Sequence, residues 1–296
     1  MTWIEAFRDG DLRVATTAQL LAAGATSKSL HAAVDNQYLV RARRGQYVLP
    51  GTDRHILEAV RLGGRLGCIA ALADGGVFAF DASTTHIHLP PHATRLRSPH
   101  DRFQPLNRAN RKGVQLHWDR LTDITGGSEY AVGLPDALIQ SFRCQEPRFA
   151  LASLDNALHL GLVRPWQVPG IFAELPERLR YLEQLVDGRS EAGQETVLRL
   201  LIHQAGWAFE IQVEIGGVGR VDIVVEGCVA VEADSRAFHD GWDKHVRDRT
   251  RDRDLAIAGY SSYRALYRDI MYHPELVVAA IAGLLAANNH CRTFIV

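Results

Sequence analysis

The chain has little that would tie it to a membrane, to a secreted scaffold or to a partner of one charge. Its four cysteines, at 68, 144, 228 and 291, form no closely spaced pair. That spacing argues against a sequence-legible metal knuckle and against the disulfide framework of a small secreted domain. They read as reduced, buried thiols. The longest apolar runs, Val277 to Ala287 and Leu255 to Ala258, are too short or too interrupted to cross a bilayer. The first residues, with Glu5, Arg8 and Asp9 among them, lack the basic-then-apolar order of a signal peptide. No membrane contact is expected, and the expected compartment is the cytoplasm. The formal net charge of -1 selects no partner by itself.

What is present is an ordinary globular composition, 47% hydrophobic and 23% charged over 296 residues. That length exceeds the needs of one core, so two or three domains are expected. The charge is uneven. Arg41, Arg43 and Arg44 form one basic cluster, and Arg95, Arg97, Arg102, Arg108, Arg111 and Lys112 a second. Lys244, Arg247, Arg249, Arg251 and Arg253 form a third, interleaved with aspartates. Each lies beside a candidate nucleic-acid element, which points to local phosphate contact rather than to a merely solvated surface.

Three segments follow from the pattern. Residues 1–52 read as a winged helix. Thr16 or Thr17 caps a short helix through Ala23, with Ala18, Leu20 and Leu21 as its apolar positions, and Gly24 ends it. Ser27 caps a second helix, Lys28 to Asp35, with Leu30 and Val34 facing inward. The runs Tyr38 to Arg43 and Gln46 to Leu49 flank the turn Arg44-Gly45 as a hairpin wing. Ser27, Lys28, Ser29 and His31 are then the side chains available to a major groove, with Arg41, Arg43 and Arg44 on the wing. The same arrangement also serves as a packing or partner-binding module.

Residues 53–186 read as a middle α+β domain, with strands at Thr85 to Leu89 and Val114 to Trp118 around the basic loop 92–112. His86, His88, His92 and His100 alternate with apolar residues and lack supporting carboxylates, so they read as packing residues rather than metal ligands.

Residues 187–296 read as an α/β core with a central mixed sheet. Ser190 caps a helix through Gln204, and three strands follow, at Ala208 to Ile215, Arg220 to Val225 and Cys228 to Ala233. A charged helix, a strand from Tyr260 to Ala265 and a final helix from Pro274 to Asn288 complete the order. Asp222 interrupts the apolar strand Val221 to Val225, which is costly unless it is paired or binds a cation. On the next strand, period 2 puts Glu232 and Asp234 on one face and Val229, Val231 and Ala233 on the other. A hairpin can bring Asp222 beside Glu232, making an oxygen-rich pocket that suits Mg²⁺ or Mn²⁺. The alternative is a structural ion pair with neighbouring arginines. Glu195 with Arg199 reads as a surface i, i+4 pair. His239, five residues past Asp234, is placed to accept a proton from water. Asp248, Arg251, Asp252 and Leu255 share one helix face, and Arg249 and Arg253 lie away from it.

With these residues in place, the chain resembles a known family. Gly219-Arg220-Val221-Asp222, Val231 to His239, Asp248, Arg251, Asp252, Leu255, Gly259-Tyr260 and Arg264 are similar to the very-short-patch-repair (Vsr-like) branch of the PD-(D/E)XK endonucleases, over about Glu191 to Ala280. The resemblance implies Asp222 as central metal ligand, Glu232 as the acidic residue of the second motif, and the Ala233 carbonyl as a further ligand. It implies Glu195 as the helix glutamate holding the metal through water, and His239 as the histidine that handles the proton. Asp234 stands where the usual lysine would be, a role that a histidine takes in the Vsr-like branch. The N-terminal part, through Ala18 to Leu21, Gly24 and Arg44 to Gly51, resembles the winged helix of AbiEi-type antitoxins. That resemblance implies a DNA-binding module in a toxin–antitoxin or phage-defence setting.

The expectation is therefore a Mg²⁺- or Mn²⁺-dependent DNA endonuclease. Asp234 and Asp248 would orient His239 or a second cation, with Asp252 beside them. Arg251 would stabilise the phosphate, and Arg249 and Arg253 would contact DNA. The alternative is a DNA-binding repressor or antitoxin with a degenerate nuclease-like domain. A protein partner or a homodimer is compatible with either.

Overall fold

The computed structural model describes Ile4, Phe7 and residues 12–234 and 242–293. The protein is mixed α/β, with three separate sheets among the described residues. Its contacts group into two units, Met1–Gln145 with Gly170–Leu175, and Glu146–Pro169 with Pro176–Val296. The sequence division at 186/187 thus falls inside the second unit, which takes in residues 146–169 and 176–186 of the middle segment.

The first unit opens with strand β1 (Val14–Thr16) and helices α1 (Thr17–Ala22) and α2 (Ser27–Asp35). Strands β2 (Val40–Arg43) and β3 (Gln46–Val48) follow, in a sheet of order β1-β3-β2. Thr16 caps α1 and Thr26 caps α2, each in a reciprocal capping box with the residue three on. The cap of α2 is thus Thr26 rather than Ser27, because Thr26 takes the extended backbone and Ser29 returns its hydroxyl. Of the apolar positions expected in α1, Leu20 is buried while Ala18 and Leu21 face solvent. Six residues are too few for a wide apolar stripe, and Leu20 alone joins Phe7, Leu30, Ala33, Leu39 and Tyr47 in the small core.

Helix α3 (Arg54–Leu62), β4 (Arg65–Leu66), α4 (Cys68–Asp74), β5 (Thr85–His88), β6 (Val114–His117) and α5 (Leu134–Cys144) complete this unit. The sheet order is β4-β5-β6, with β5 and β6 parallel. Helices α4 and α5 pack on each other, and α4 also packs on β5.

The second unit contains α6 (Pro147–His159), and short helices α7 (Val168–Ala173) and α8 (Glu177–Arg180) lie between it and α9 (Gly193–Gln204). Strands β7 (Phe209–Ile215), β8 (Gly219–Val225) and β9 (Val229–Asp234) precede α10 (Trp242–Ile257). Strand β10 (Ser261–Leu266), α11 (Tyr267–Tyr272) and α12 (Pro274–Thr293) end it. The sheet runs β10-β9-β8-β7, with β10 parallel to β9 and the other pairs antiparallel. The central strands are apolar on both faces where helices cover them, at Val221, Ile223 to Val225 and Val229 to Val231. No side chain caps α9, which begins after Ala192, so the expected cap at Ser190 is not made. Among the described residues, no helix is long and apolar enough to cross a membrane.

Helices α6 and α9 are joined by a buried ion pair. Asp155, fully buried, accepts from Arg199 Nη2 at 2.8 Å, Thr196 Oγ1 at 3.0 Å and the Asp187 backbone N–H at 2.9 Å. Arg199 is thereby drawn into the interior, instead of making the surface pair with Glu195 that their spacing suggested. Asp155→Ala, which strands the guanidinium without its counter-ion, is expected to cost about 3–5 kcal/mol. Chemical denaturation followed by circular dichroism measures this, and an unchanged midpoint would remove the pair from the supports of this unit.

Candidate functional site

The β8–β9 ladder runs through Val225↔Val229, Val224↔Ala230 and Ile223↔Val231 and stops there. The next residues along the two strands are Asp222 and Glu232. Instead of continuing the ladder, the Asp222 carboxylate accepts the Ala233 backbone N–H at 2.9 Å. Asp222 is half-buried. Burial pushes its pKa up, the charges of Glu232 and Glu191 push the same way, and the Ala233 N–H and Arg251 hold it back.

Glu195, in the first turn of α9, reaches the same place. Burial and then the Asp222 charge raise its pKa to about 7, against the Glu191 backbone N–H bonded to Oε2 at 2.9 Å. Gln212 Nε2 donates to the same Oε2 at 3.1 Å. Gln212 holds a left-handed backbone, φ 54°, between the paired residues Ile211 and Val213 of β7. Strained backbone of this kind persists where the surroundings over-determine it. Its Oε1 is buried with no partner among the described residues. No cationic side chain among them lies at ion-pair distance from Asp222 or Glu195.

Glu232 is handled differently. Arg251 reaches its Oε1 through Nε at 2.7 Å and Nη2 at 2.6 Å, and Arg264 Nη2 reaches Oε2 at 3.2 Å. Arg251 also donates to the carbonyls of Val218, at 2.8 Å, and Arg220. Arg264 continues to Asp248 at 3.2 Å and Asp252 at 3.1 Å, and Ser262 Oγ donates to Asp252. Asp248, Arg251 and Asp252 share the face whose apolar anchor, Leu255, is fully buried against Val221, Val224 and Ala230. Asp234 ends β9 opposite Leu266 of β10. Arg249 is exposed, and Arg253 pairs with its neighbour Asp254 at 2.6 Å. His239 lies outside the described residues.

The fold therefore gathers Asp222, Glu195 and the Ala233 backbone, and it engages Glu232, Asp248, Arg251 and Asp252 in one ion-pair network. Gln212 was not legible as part of the site, because only the β7 irregularity turns an ordinary strand glutamine toward Glu195.

In the first unit, Ser27, Lys28 and His31 are exposed on α2, and Arg44 on the β2–β3 turn. A groove between that helix and the hairpin is lined by Ser27, His31, Arg41, Arg44 and Arg102. Arg102, from the second basic cluster, donates to the Arg41 carbonyl at 2.8 Å. Arg43 turns away, toward the Leu62 carbonyl at 3.4 Å.

The same unit holds a cluster that the sequence spacing hid. Cys68, His86, His117 and Cys144 converge, with their ligand atoms all within 4.8 Å of one another. His86 and His117 are 31 residues apart, and His86 and Cys144 are 58 apart. Hydrogen bonds from Cys68, His117 and His86 draw the Cys144 thiol down to about 3, while burial drives Cys68 upward. Cys144 keeps part of its surface in solvent, so it departs from the expectation of buried thiols, whereas Cys68 and Cys228 meet it.

Comparison with known proteins adds kinship without function. Uncharacterized proteins of two Mycobacterium tuberculosis strains, CDC 1551 / Oshkosh and H37Rv, are each 28% identical over 275 residues, 87% of this chain and 96% of the relative. No family model and no solved structure matches the chain.

The carboxylate pair has a consequence for stability. Glu195 binds its proton more tightly folded than unfolded, so stability contributed by the protonated form is present at low pH and declines as pH rises from its ordinary range toward about 7. In EDTA, Glu195→Gln is expected to flatten that decline and to raise the thermal midpoint at pH 8. A midpoint at pH 8 that falls in the variant would mean that the Glu195 charge is stabilised by its surroundings.

Proposed function

We propose that the protein is a metal-dependent DNA endonuclease, with a Vsr-like PD-(D/E)XK core at residues 187–296 and a winged helix at 1–52, joined by an AbiEi-like segment at 53–186. The observation that carries this reading is the Asp222–Glu195 pair. Two half-buried carboxylates repel each other with no cationic side chain at ion-pair distance among the described residues, beside an unpartnered amide oxygen of Gln212. Such a set is unfavourable alone and matches the all-oxygen preference of a small hard cation.

Asp222, Glu195 and Gln212 Oε1 would hold Mg²⁺ or Mn²⁺, together with Glu232 and the Ala233 carbonyl that the family resemblance implies. When bound, that cation supplies positive charge at the scissile phosphate and acidifies water. The chain's own residues set the geometry. The Ala233 N–H aims the Asp222 carboxylate, and Gln212 with the Glu191 N–H aims Glu195. Arg251 and Arg264 fix Glu232 from both sides. The proton acceptor implied by the resemblance is His239.

DNA would lie along the α2–hairpin groove, where Arg41, Arg44 and Arg102 offer phosphate contacts and Ser27, Lys28 and His31 face outward. A cytoplasmic role in phage defence or a toxin–antitoxin pair suits that combination. One observation favours a second reading, a repressor or antitoxin with a nuclease-like domain that only binds. Both oxygens of Glu232 are already engaged by arginines.

Supercoiled plasmid incubated with the protein in EDTA, Mg²⁺ or Mn²⁺ separates the two. Metal-dependent nicking or linearisation is expected, abolished in Asp222→Ala while DNA binding persists. Binding without cleavage in either metal selects the repressor, and loss of both functions together in the variant makes Asp222 structural. In the same protein, Arg41→Ala with Arg44→Ala is expected to weaken DNA binding at every sequence and to lower the salt slope by about 1 per arginine. An unchanged slope would place the DNA elsewhere.

A further inference from the structure

We propose that Cys68, His86, His117 and Cys144 bind one Zn²⁺ as a closed, structural, four-coordinate site in the first unit. The four ligands come from four elements. Cys68 is the first residue of α4 and Cys144 the last of α5, while His86 lies on β5 and His117 on β6. Two thiols and two imidazoles are the donor set of tetrahedral zinc, and soft sulfur ligands disfavour Mg²⁺, Ca²⁺ and Mn²⁺.

The spacing matches. Bonds of about 2.3 Å to sulfur and about 2.0–2.1 Å to nitrogen, at tetrahedral angles, put ligand atoms about 3.3–3.8 Å apart. Here His86 Nδ1 and His117 Nε2 face each other at 3.0 Å, and Cys144 Sγ stands 3.8 Å from His86 Nδ1. Cys68, His86 and His117 are buried, and Cys144 is the edge nearest solvent.

The surroundings are those of a ligand shell rather than of casual packing. The second nitrogen of His117, Nδ1, is 3.9 Å from Asp119 Oδ2, and Asp119 is anchored by Arg143 at 3.1 Å. A carboxylate behind a ligating imidazole sets its tautomer and raises its basicity. Gln140, fully buried, accepts the Cys68 backbone N–H at 2.9 Å through Oε1 and donates to His88 Nδ1 at 3.1 Å. The backbone N–H can only donate, so the amide orientation is determined and His88 is the neutral acceptor. His88 thus props the shell and is not a fifth ligand. Cys68 itself sits at φ 50°, a left-handed backbone that a cysteine adopts at a cost and that aims its thiol into the cluster. With four protein ligands the site has no open position for substrate. Its role is to tie the ends of α4 and α5 to the β5–β6 pair.

The test is metal analysis of the full-length protein purified without chelator. One zinc per chain is expected, with loss of that equivalent in Cys144→Ser and in His117→Ala, and retention in Asp222→Ala and Cys228→Ser. Asp119→Asn is expected to weaken zinc affinity about tenfold while leaving the ligands in place. Should the ligand variants not fold, wild-type protein loaded with Co²⁺ decides. Intense visible bands with thiolate-to-metal charge transfer support a tetrahedral sulfur–nitrogen site, and weak octahedral bands overturn it. Metal-free wild-type protein with a Cys68–Cys144 disulfide would also overturn it. So would zinc kept in Cys144→Ser or lost in Asp222→Ala, which would put the metal elsewhere.

Discussion

A single hydrogen bond, from the Ala233 backbone N–H to the Asp222 carboxylate, decides how the second unit is built around its sheet. Strands β8 and β9 pair through their apolar halves and stop at Ile223 and Val231, where the carboxylate replaces a backbone acceptor. A carboxylate placed there cannot be covered by an apolar helix without a heavy desolvation cost. That end of the sheet is accordingly met by polar groups, the N-terminal turn of α9 and the charged face of α10. Leu255 closes the apolar side one turn along from Arg251, so the same helix seals the core and supplies one of the two cations for Glu232, the other being Arg264 of β10.

The three acidic residues of this end are not equivalent. Glu232 is neutralised by Arg251 and Arg264, which also hold Asp248 and Asp252 and bind α10 to β9 and β10. Among the described residues, Asp222 and Glu195 accept from N–H donors and have no cationic side chain at ion-pair distance. Repulsion between them is a stored cost, and sites that carry such costs are enriched for binding and catalysis. The endonuclease reading rests on that inequality. The arginine network is common ground between a nuclease and a domain that only binds.

The two units gather metal-seeking groups of opposite kinds. The second offers the oxygen atoms of half-buried carboxylates, suited to a hard cation that exchanges with water. The first offers two sulfurs and two ring nitrogens, mostly buried and backed by Asp119 and Gln140, suited to a cation that stays. In the first unit the zinc shell lies among α4, α5, β5 and β6, away from the α1–α2–hairpin face with Arg41 and Arg44. The proposed DNA groove and the proposed zinc shell therefore draw on different residues of that unit.

Local pattern carried much of this molecule. The strands of residues 208–266 and the helices around them follow period 2 and period 3.6 closely enough to be placed within a few residues, while the short α11 (Tyr267–Tyr272) was not read from the pattern. Asp222 stood out because a charge inside an apolar strand demands an explanation wherever the strand lies. Contacts between distant residues were not legible. Arg199 looked like a partner for Glu195 on one helix, yet the buried Asp155 of α6 claims it. Thr26 displaced Ser27 as a cap because two adjacent residues had the same chemistry and only backbone geometry separates them. The Cys68–His86–His117–Cys144 cluster carried no local signal at all, since its ligands are scattered over four elements and one pair alone spans 58 residues. Periodicity reports which face of an element is apolar, because that depends on neighbours a turn or a step away. Which elements meet, and therefore which thiols, imidazoles and carboxylates share a site, is decided by how the layers pack.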